Sequence, residues 1–147
     1  MVLLVAVTFS ARAAAQPNPV LNSIYPPGGR AGSSVEVTVA GSGLNDLKTL
    51  HCNNTGLTFE KIDKNRVRVN IPKETRPGFY DIRAMCANGL SSPRAFIIGK
   101  LAELLEVEPN ETAKDSTRLT LNSVVNGRIE KKGDIDQFQF HARQGQH

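Results

Sequence analysis

Residues 33–44 read SSVEVTVAGSGL. Val35, Val37 and Val39 fall at every second position, with Glu36 and Thr38 between them. Successive side chains of a β-strand point to opposite faces, so the three valines share one face and the two polar residues the other. β-branched valine also suits a pleated, half-buried surface. Gly41-Ser42-Gly43 then breaks the alternation and supplies turn chemistry.

The same period recurs on either side. In RVRVNI (66–71), Val67, Val69 and Ile71 share a face, opposite Arg66, Arg68 and Asn70. In YDIRAMC (80–86), Tyr80, Ile82, Ala84 and Cys86 do so, and Leu50 and Cys52 share a face in an earlier strand. Pro26-Pro27-Gly28-Gly29, Asn53-Asn54-Thr55-Gly56, Pro77-Gly78 and Asn88-Gly89 separate these runs as turns. No stretch combines a 3.6-residue apolar period with helix caps. Short alternating strands at this spacing predict a β-sandwich.

The bulk composition narrows the class. The chain has 147 residues, 39% of them hydrophobic, and a formal charge of +4. Mean hydropathy is −0.27, and no long internal apolar run suggests a membrane span. The basic residues, among them Arg66, Arg68, Arg83, Arg94, Lys131 and Lys132, are scattered. Nucleic-acid binding calls for a dense stripe or a known motif, and neither is present.

Residues 1–15, MVLLVAVTFSARAAA, have a short apolar core and a small-residue Ala13-Ala14-Ala15 end. They predict a secretory signal peptide, although no Lys or Arg precedes the apolar run. The alternative is a buried N-terminal strand or helix. Export places the chain in a secreted or envelope compartment, where Cys52 and Cys86, the two cysteines, can form a disulfide. Both lie on apolar faces, where an inter-sheet bridge would sit; the alternative is two buried thiols.

Residues 17–99 carry a resemblance. PVLNSIYPPGGRAG (19–32) leads into SSVEVTVAGSGL; PGFYDI (77–82) and NGLSSP (88–93) follow. In this order they resemble the IPT/TIG domain, which implies an immunoglobulin-like sandwich.

From Lys100 the texture changes. Residues 100–107 read as a link, and Leu101, Leu104 and Leu105 have the spacing of a short helical turn. Val124 to Ile129 predicts a strand containing Gly127, with the turn at Lys131-Lys132-Gly133; Asn126-Gly127 is the alternative turn. Two acidic knots stand out, LLEVEPNET (104–112) and KGDIDQF (132–138). The motifs E-P-N-E, V-x-G-x-I and G-D-x-D-x-F, with Gly145 beyond, resemble the front part of the bacterial pre-peptidase C-terminal (PPC) domain. That resemblance implies a second, partial, jelly-roll-like β-sandwich over 108–147, either in a piece of a longer bacterial protein or with a neighbouring chain completing the sheet. In collagen-binding relatives of that family an E-x-E-x-N-acid stretch and a later Asp pair bind calcium. Glu106, Glu108, Asn110, Glu111, Asp134 and Asp136 match those positions, which implies Ca²⁺ as the cofactor. The residues themselves support the idea, because alternation places Glu106, Glu108 and Asn110 on one side and calcium takes oxygen ligands. The alternative is a pair of solvated turns, with Asp134 capping locally.

Catalytic signatures are missing. His51, His141 and His147 form no H-E-x-x-H, and there is no G-x-S-x-G, C-x-x-C, G-x-G-x-x-G or P-loop. The expectation is an all-β, non-catalytic exported module for display, spacing or adhesion, meeting extracellular or envelope proteins or polysaccharide. Two alternatives stay open: the leading region of a secreted hydrolase or peptidase, and a carbohydrate- or collagen-binding module. The aromatic content of 5% and the lack of Trp weigh against the last.

Overall fold

The computed structural model describes residues 17–53 and 56–145, so the leader assigned to residues 1–15 lies outside the described residues. Those described form thirteen strands and no helix. Strands β1 (Val20–Tyr25), β3 (Ser34–Ser42), β6 (Arg66–Asn70) and β5 (Thr58–Lys61) lie in that order in one antiparallel sheet. Strands β2 (Gly28–Arg30), β9 (Arg94–Gly99), β7 (Gly78–Cys86) and β4 (Thr49–His51) form the second, with β8 (Gly89–Leu90) also paired to β7. The two sheets close on each other as an immunoglobulin-like sandwich. Val37, Val39, Val67 and Val69 of the first meet Ile82, Ala84, Phe96 and Ile98 of the second in one buried cluster. The valine face expected from alternation is the buried face. Arg66 and Arg68 point outward and pair with Glu36, Glu60 and Asp63.

The Pro26-Pro27-Gly28-Gly29 run is more than a turn. It is where the chain leaves the first sheet and joins the second, because β2 begins at Gly28. Pro26 and Pro27 have no N–H to donate, so the β1 ladder stops at Tyr25. Gly28 then runs parallel to Ile97, and a Cβ placed there would lie 2.4 Å from the Ile97 carbonyl oxygen. Only a glycine lets β2 approach β9 this closely.

The expected disulfide is not formed: Cys52 and Cys86 are unbridged. Alternation identified the right face for both, but they belong to neighbouring strands of one sheet rather than to opposite sheets. In the β4–β7 ladder His51 sits opposite Arg83, and Cys86 lies three positions further along. At the rise of a β-strand that offset is about 10 Å, and Cys52 continues in the opposite direction. A disulfide needs Cα atoms within about 7 Å. The buried Cys86 thiol is pushed up in pKa by loss of hydration, with Asp46 adding to it.

Beyond Gly99 the packing is different in kind. β10 (Ala102–Leu105) pairs in parallel with β12 (Ser123–Asn126), and β11 (Thr117–Leu119) in parallel with β13 (Phe138–Phe140). The leucine spacing that suggested a helical turn is overruled, because four residues cannot repay helix nucleation while β12 offers a complete ladder. The strand expected over Val124–Ile129 stops at Asn126. The Lys131-Lys132-Gly133 turn is present, closed by the Asp134 N–H donating to the Lys131 carbonyl at 3.2 Å. Among the described residues every buried hydrophobic side chain lies between Leu21 and Ile98. The buried residues further on are polar: Asn110, Thr117 and Asn126. Leu105, Val107, Ile129, Ile135 and Phe140 are exposed.

The two parts touch through Tyr25. Its hydroxyl donates to the Asn126 carbonyl at 3.0 Å, and the Arg128 guanidinium lies 4.9 Å from the centre of its ring. That is a cation–π distance.

Candidate metal centre

β10 carries the chain directly into the first acidic knot. The Glu106 N–H continues the ladder by donating to the Asn126 carbonyl at 3.1 Å. Glu106 and Glu108 then project to one side. Past Pro109 the chain turns inward, and Asn110 is 0% exposed. The second knot is clamped onto it. The Gln137 N–H donates to the Asn110 carbonyl at 3.0 Å, its side-chain amide donates to the Glu111 carbonyl at 2.6 Å, and its own carbonyl accepts from the Thr117 N–H at 2.9 Å. Asp136, next in the chain, is thereby fixed against the first knot.

One carboxylate oxygen each from Glu106, Glu108 and Asp136 lies within 4.8 Å of the others. The buried Asn110 amide joins them, its Nδ2 lying 3.4 Å from Glu106 Oε2 and its backbone N–H donating to Glu108 Oε2 at 3.1 Å. Asn110 Oδ1 and Asp136 Oδ1 are both buried and have no hydrogen-bond partner among the described residues. A buried polar atom left in this state costs about 1–3 kcal/mol. The unpartnered oxygens of Asn110 and Asp136, beside the carboxylates of Glu106 and Glu108, form an oxygen-rich set of net negative charge.

Glu111 and Asp134 border this group and are engaged by Lys131. Lys131 Nζ lies 3.1 Å from Glu111 Oε1 and 3.9 Å from Asp134 Oδ1. The other Asp134 oxygen accepts from the Glu130 N–H at 2.7 Å. Of the six residues expected to gather, the structure brings Glu106, Glu108, Asn110 and Asp136 together, with Glu111 in an ion pair and Asp134 capping a turn beside them. Gly127 was not expected to contribute. A Cβ there would lie 3.0 Å from Glu106 Oε2 and 3.4 Å from Asp136 Oδ2, so glycine leaves the room the carboxylates occupy. A glycine inside an alternating run was the sequence signal for such an approach. Asn110 also fits an N-glycosylation sequon, but its burial removes it as an acceptor in the folded chain.

The electrostatics follow this division. Loss of hydration pushes Glu108 above the ordinary carboxylate value, and Asp134, Glu106 and Glu111 add repulsion. The hydrogen bond from Lys131 holds Glu111 below it. A raised folded-state value means that the proton on Glu108 favours the fold. That contribution is present below the unfolded value and is lost as pH rises through the raised one. For Glu111 the contribution is present above the unfolded value and is lost as pH falls through the lowered one. In cation-free protein, carboxyl ¹³C titration should place the Glu108 midpoint above that of a peptide glutamate and the Glu111 midpoint below it. Coincident midpoints would refute this geometry.

An all-oxygen donor set suits a hard cation rather than zinc or copper. The three carboxylate oxygens lie within 4.8 Å of one another, close enough to meet one cation of the size of calcium, whose oxygen ligands stand at about 2.3–2.6 Å.

Comparison with known proteins bears mainly on the first module. The sequence profile of the IPT/TIG domain matches residues 19–98. No protein of curated function matches the chain. Among solved structures it is similar to a gamma-CGTase from alkalophilic Bacillus clarkii, at 24% identity and a TM-score of 0.43, over 68% of this chain and 15% of that one. It is also similar to SGBP-B of the Bacteroides ovatus mixed-linkage glucan utilization locus, solved with a mixed-linkage heptasaccharide. There the identity is 14% and the TM-score 0.41, over 69% of this chain and 25% of that one. The chain spans a quarter or less of the length of either protein.

Proposed function

The chain belongs to the IPT/TIG domain family, and from that premise we propose that it is a non-catalytic module of an exported bacterial protein, serving display, spacing or adhesion, with a calcium ion setting the joint between residues 17–99 and the part that follows. One observation carries the reading: the buried, unpartnered oxygens of Asn110 and Asp136 beside the carboxylates of Glu106 and Glu108. The segment from Leu101 onward has no buried apolar side chain among the described residues to hold it. A cation would supply what the missing core does not, by turning carboxylate repulsion into shared coordination. Its position suits a joint. Glu106 Oε1 accepts from the Arg128 N–H at 2.5 Å, and Arg128 stacks on Tyr25 of the first module.

The PPC-like character of residues 108–147 is part of the same reading. The exposed Val107, Ile129, Ile135 and Phe140 are the surface that further strands of such a sandwich would cover. Limited trypsin digestion tests the joint. Lys114, Arg118 and Arg128 should be cut rapidly in chelator and slowly in calcium, while Arg66 and Arg68 resist in both. Gly127→Ala should lower the calcium dependence of cleavage by about tenfold, the scale of a disturbed ligand support. Equal cleavage with calcium and with chelator would contradict the proposal.

A further inference from the structure

The outward face of β7 carries a feature that neither the sandwich core nor the cation centre uses. Phe79, Asp81 and Arg83 alternate along β7 and share that face. In the neighbouring strands Ile97 lies opposite Phe79, and His51 lies opposite Arg83. Phe79, Asp81, Arg83 and His51, with Asn53 and Tyr80, line a cleft of about 430 Å³, within the size range of small-ligand sites. Phe79 is 79% exposed, the most of any large hydrophobic residue described.

The polar groups are arranged rather than merely solvated. His51 Nε2 is 2.7 Å from Asn53 Oδ1, a pair that holds both side chains at the rim. Arg83 Nη1 donates to the Ser91 carbonyl at 2.8 Å, which holds the guanidinium and leaves further N–H groups for a ligand. The Asp81 side chain has no hydrogen bond or ion pair with a described residue. One carboxylate and one guanidinium cancel, so the cleft offers acceptors and donors without net charge. It favours neither phosphate nor a peptide of a single sign.

From this juxtaposition we infer that the outward face of β7 is a saccharide-binding site for a neutral sugar chain. The Phe79 ring would take the C–H face of a sugar, as a flat apolar surface with little entropy to lose. Asp81 would accept from ring hydroxyls, and Arg83 would donate to them through charge-assisted hydrogen bonds. The site shares no residue with the cation centre, so the two can fail separately.

Electrophoresis of the whole chain through native gels containing soluble starch, xylan or mixed-linkage β-glucan tests the inference. Retardation by at least one polymer is expected, unchanged by chelator. Phe79→Ala and Asp81→Asn should each weaken it about tenfold or more while leaving the melting temperature unchanged. No retardation by any of the three polymers would overturn the site, as would retardation that Phe79→Ala leaves intact. Concentration-dependent dimerisation abolished by Phe79→Ala, seen in sedimentation velocity, would assign the face to a second copy of the chain and overturn it as well.

Discussion

Replacing Phe96 by alanine is expected to lower stability by about 3–5 kcal/mol, the range for truncating a fully buried aromatic side chain. Phe96 is 0% exposed and is the largest fully buried side chain described. It sits in β9 opposite Tyr80 of β7 and belongs to the cluster shared with the valines of β3 and β6. The cavity would open between the two sheets, where neither can collapse without breaking its ladder. Small domains have only about 5–15 kcal/mol of total stability, so a substantial unfolded fraction at 37 °C is the outcome. Chemical denaturation followed by far-UV circular dichroism measures it directly. A cost below about 1 kcal/mol would mean that the sandwich core is not centred on Phe96. The exposed Phe79 is the internal control, because truncation of a solvated side chain stays within about 0.5 kcal/mol.

The second large effect is local. Calcium at a hundred times its dissociation constant should stabilise the structure that binds it by about 2.7 kcal/mol. Because the buried apolar core ends at Ile98, the gain belongs to the segment from Leu101 onward and should appear as slowed amide exchange there. The Arg128 N–H, bonded to Glu106, and the Gln137 N–H, bonded to the Asn110 carbonyl, report it best. Their exchange should slow about a hundredfold, the same free energy expressed as a rate ratio. Asp136→Asn removes one ligand charge and should abolish the slowing. It should also reduce carboxylate repulsion in chelator, so the cation-free variant should exchange no faster than the cation-free parent. Faster exchange there would mean that Asp136 supports the fold by some other contact.

Much of the sandwich is legible in the sequence because alternation reports faces directly. The valines of β3 and β6, Ile82 and Ala84 all follow it. What alternation does not report is register and sheet membership. Cys52 and Cys86 lie on the face their parity assigned, yet three or more positions out of step in one ladder. The Pro26-Pro27-Gly28-Gly29 run reads as a turn, because nothing local to it reveals that Gly28–Arg30 will find a parallel partner in β9. The Leu101, Leu104 and Leu105 spacing misleads for a related reason: over so few residues a helical and an extended pattern both fit, and the distant β12 decides.

The centre was partly legible on the same terms. The two knots advertise their charge, and local alternation pairs Glu106 with Glu108. Which residues converge depends on Gln137 bridging to Asn110 and Glu111, contacts 26 residues apart in the case of its side chain. Lys131 engages Glu111 and Asp134, and no spacing rule distinguishes those two acids from Glu106, Glu108 and Asp136. The Tyr25–Asn126 hydrogen bond spans 101 residues and could not be foreseen at all. Phe79 carries no distinct signal in the sequence, because its neighbour Tyr80 fits the inward face and an outward aromatic becomes informative only once its surroundings are known.

Isothermal titration of calcium into the chelator-treated protein, with Asp136→Asn and Glu106→Gln alongside, should be made first. One site per chain in the parent, with binding lost or weakened at least tenfold in both variants, is the expected result. Absence of binding in the parent, or binding that both variants retain unchanged, would contradict a cation held by Glu106, Glu108, Asn110 and Asp136.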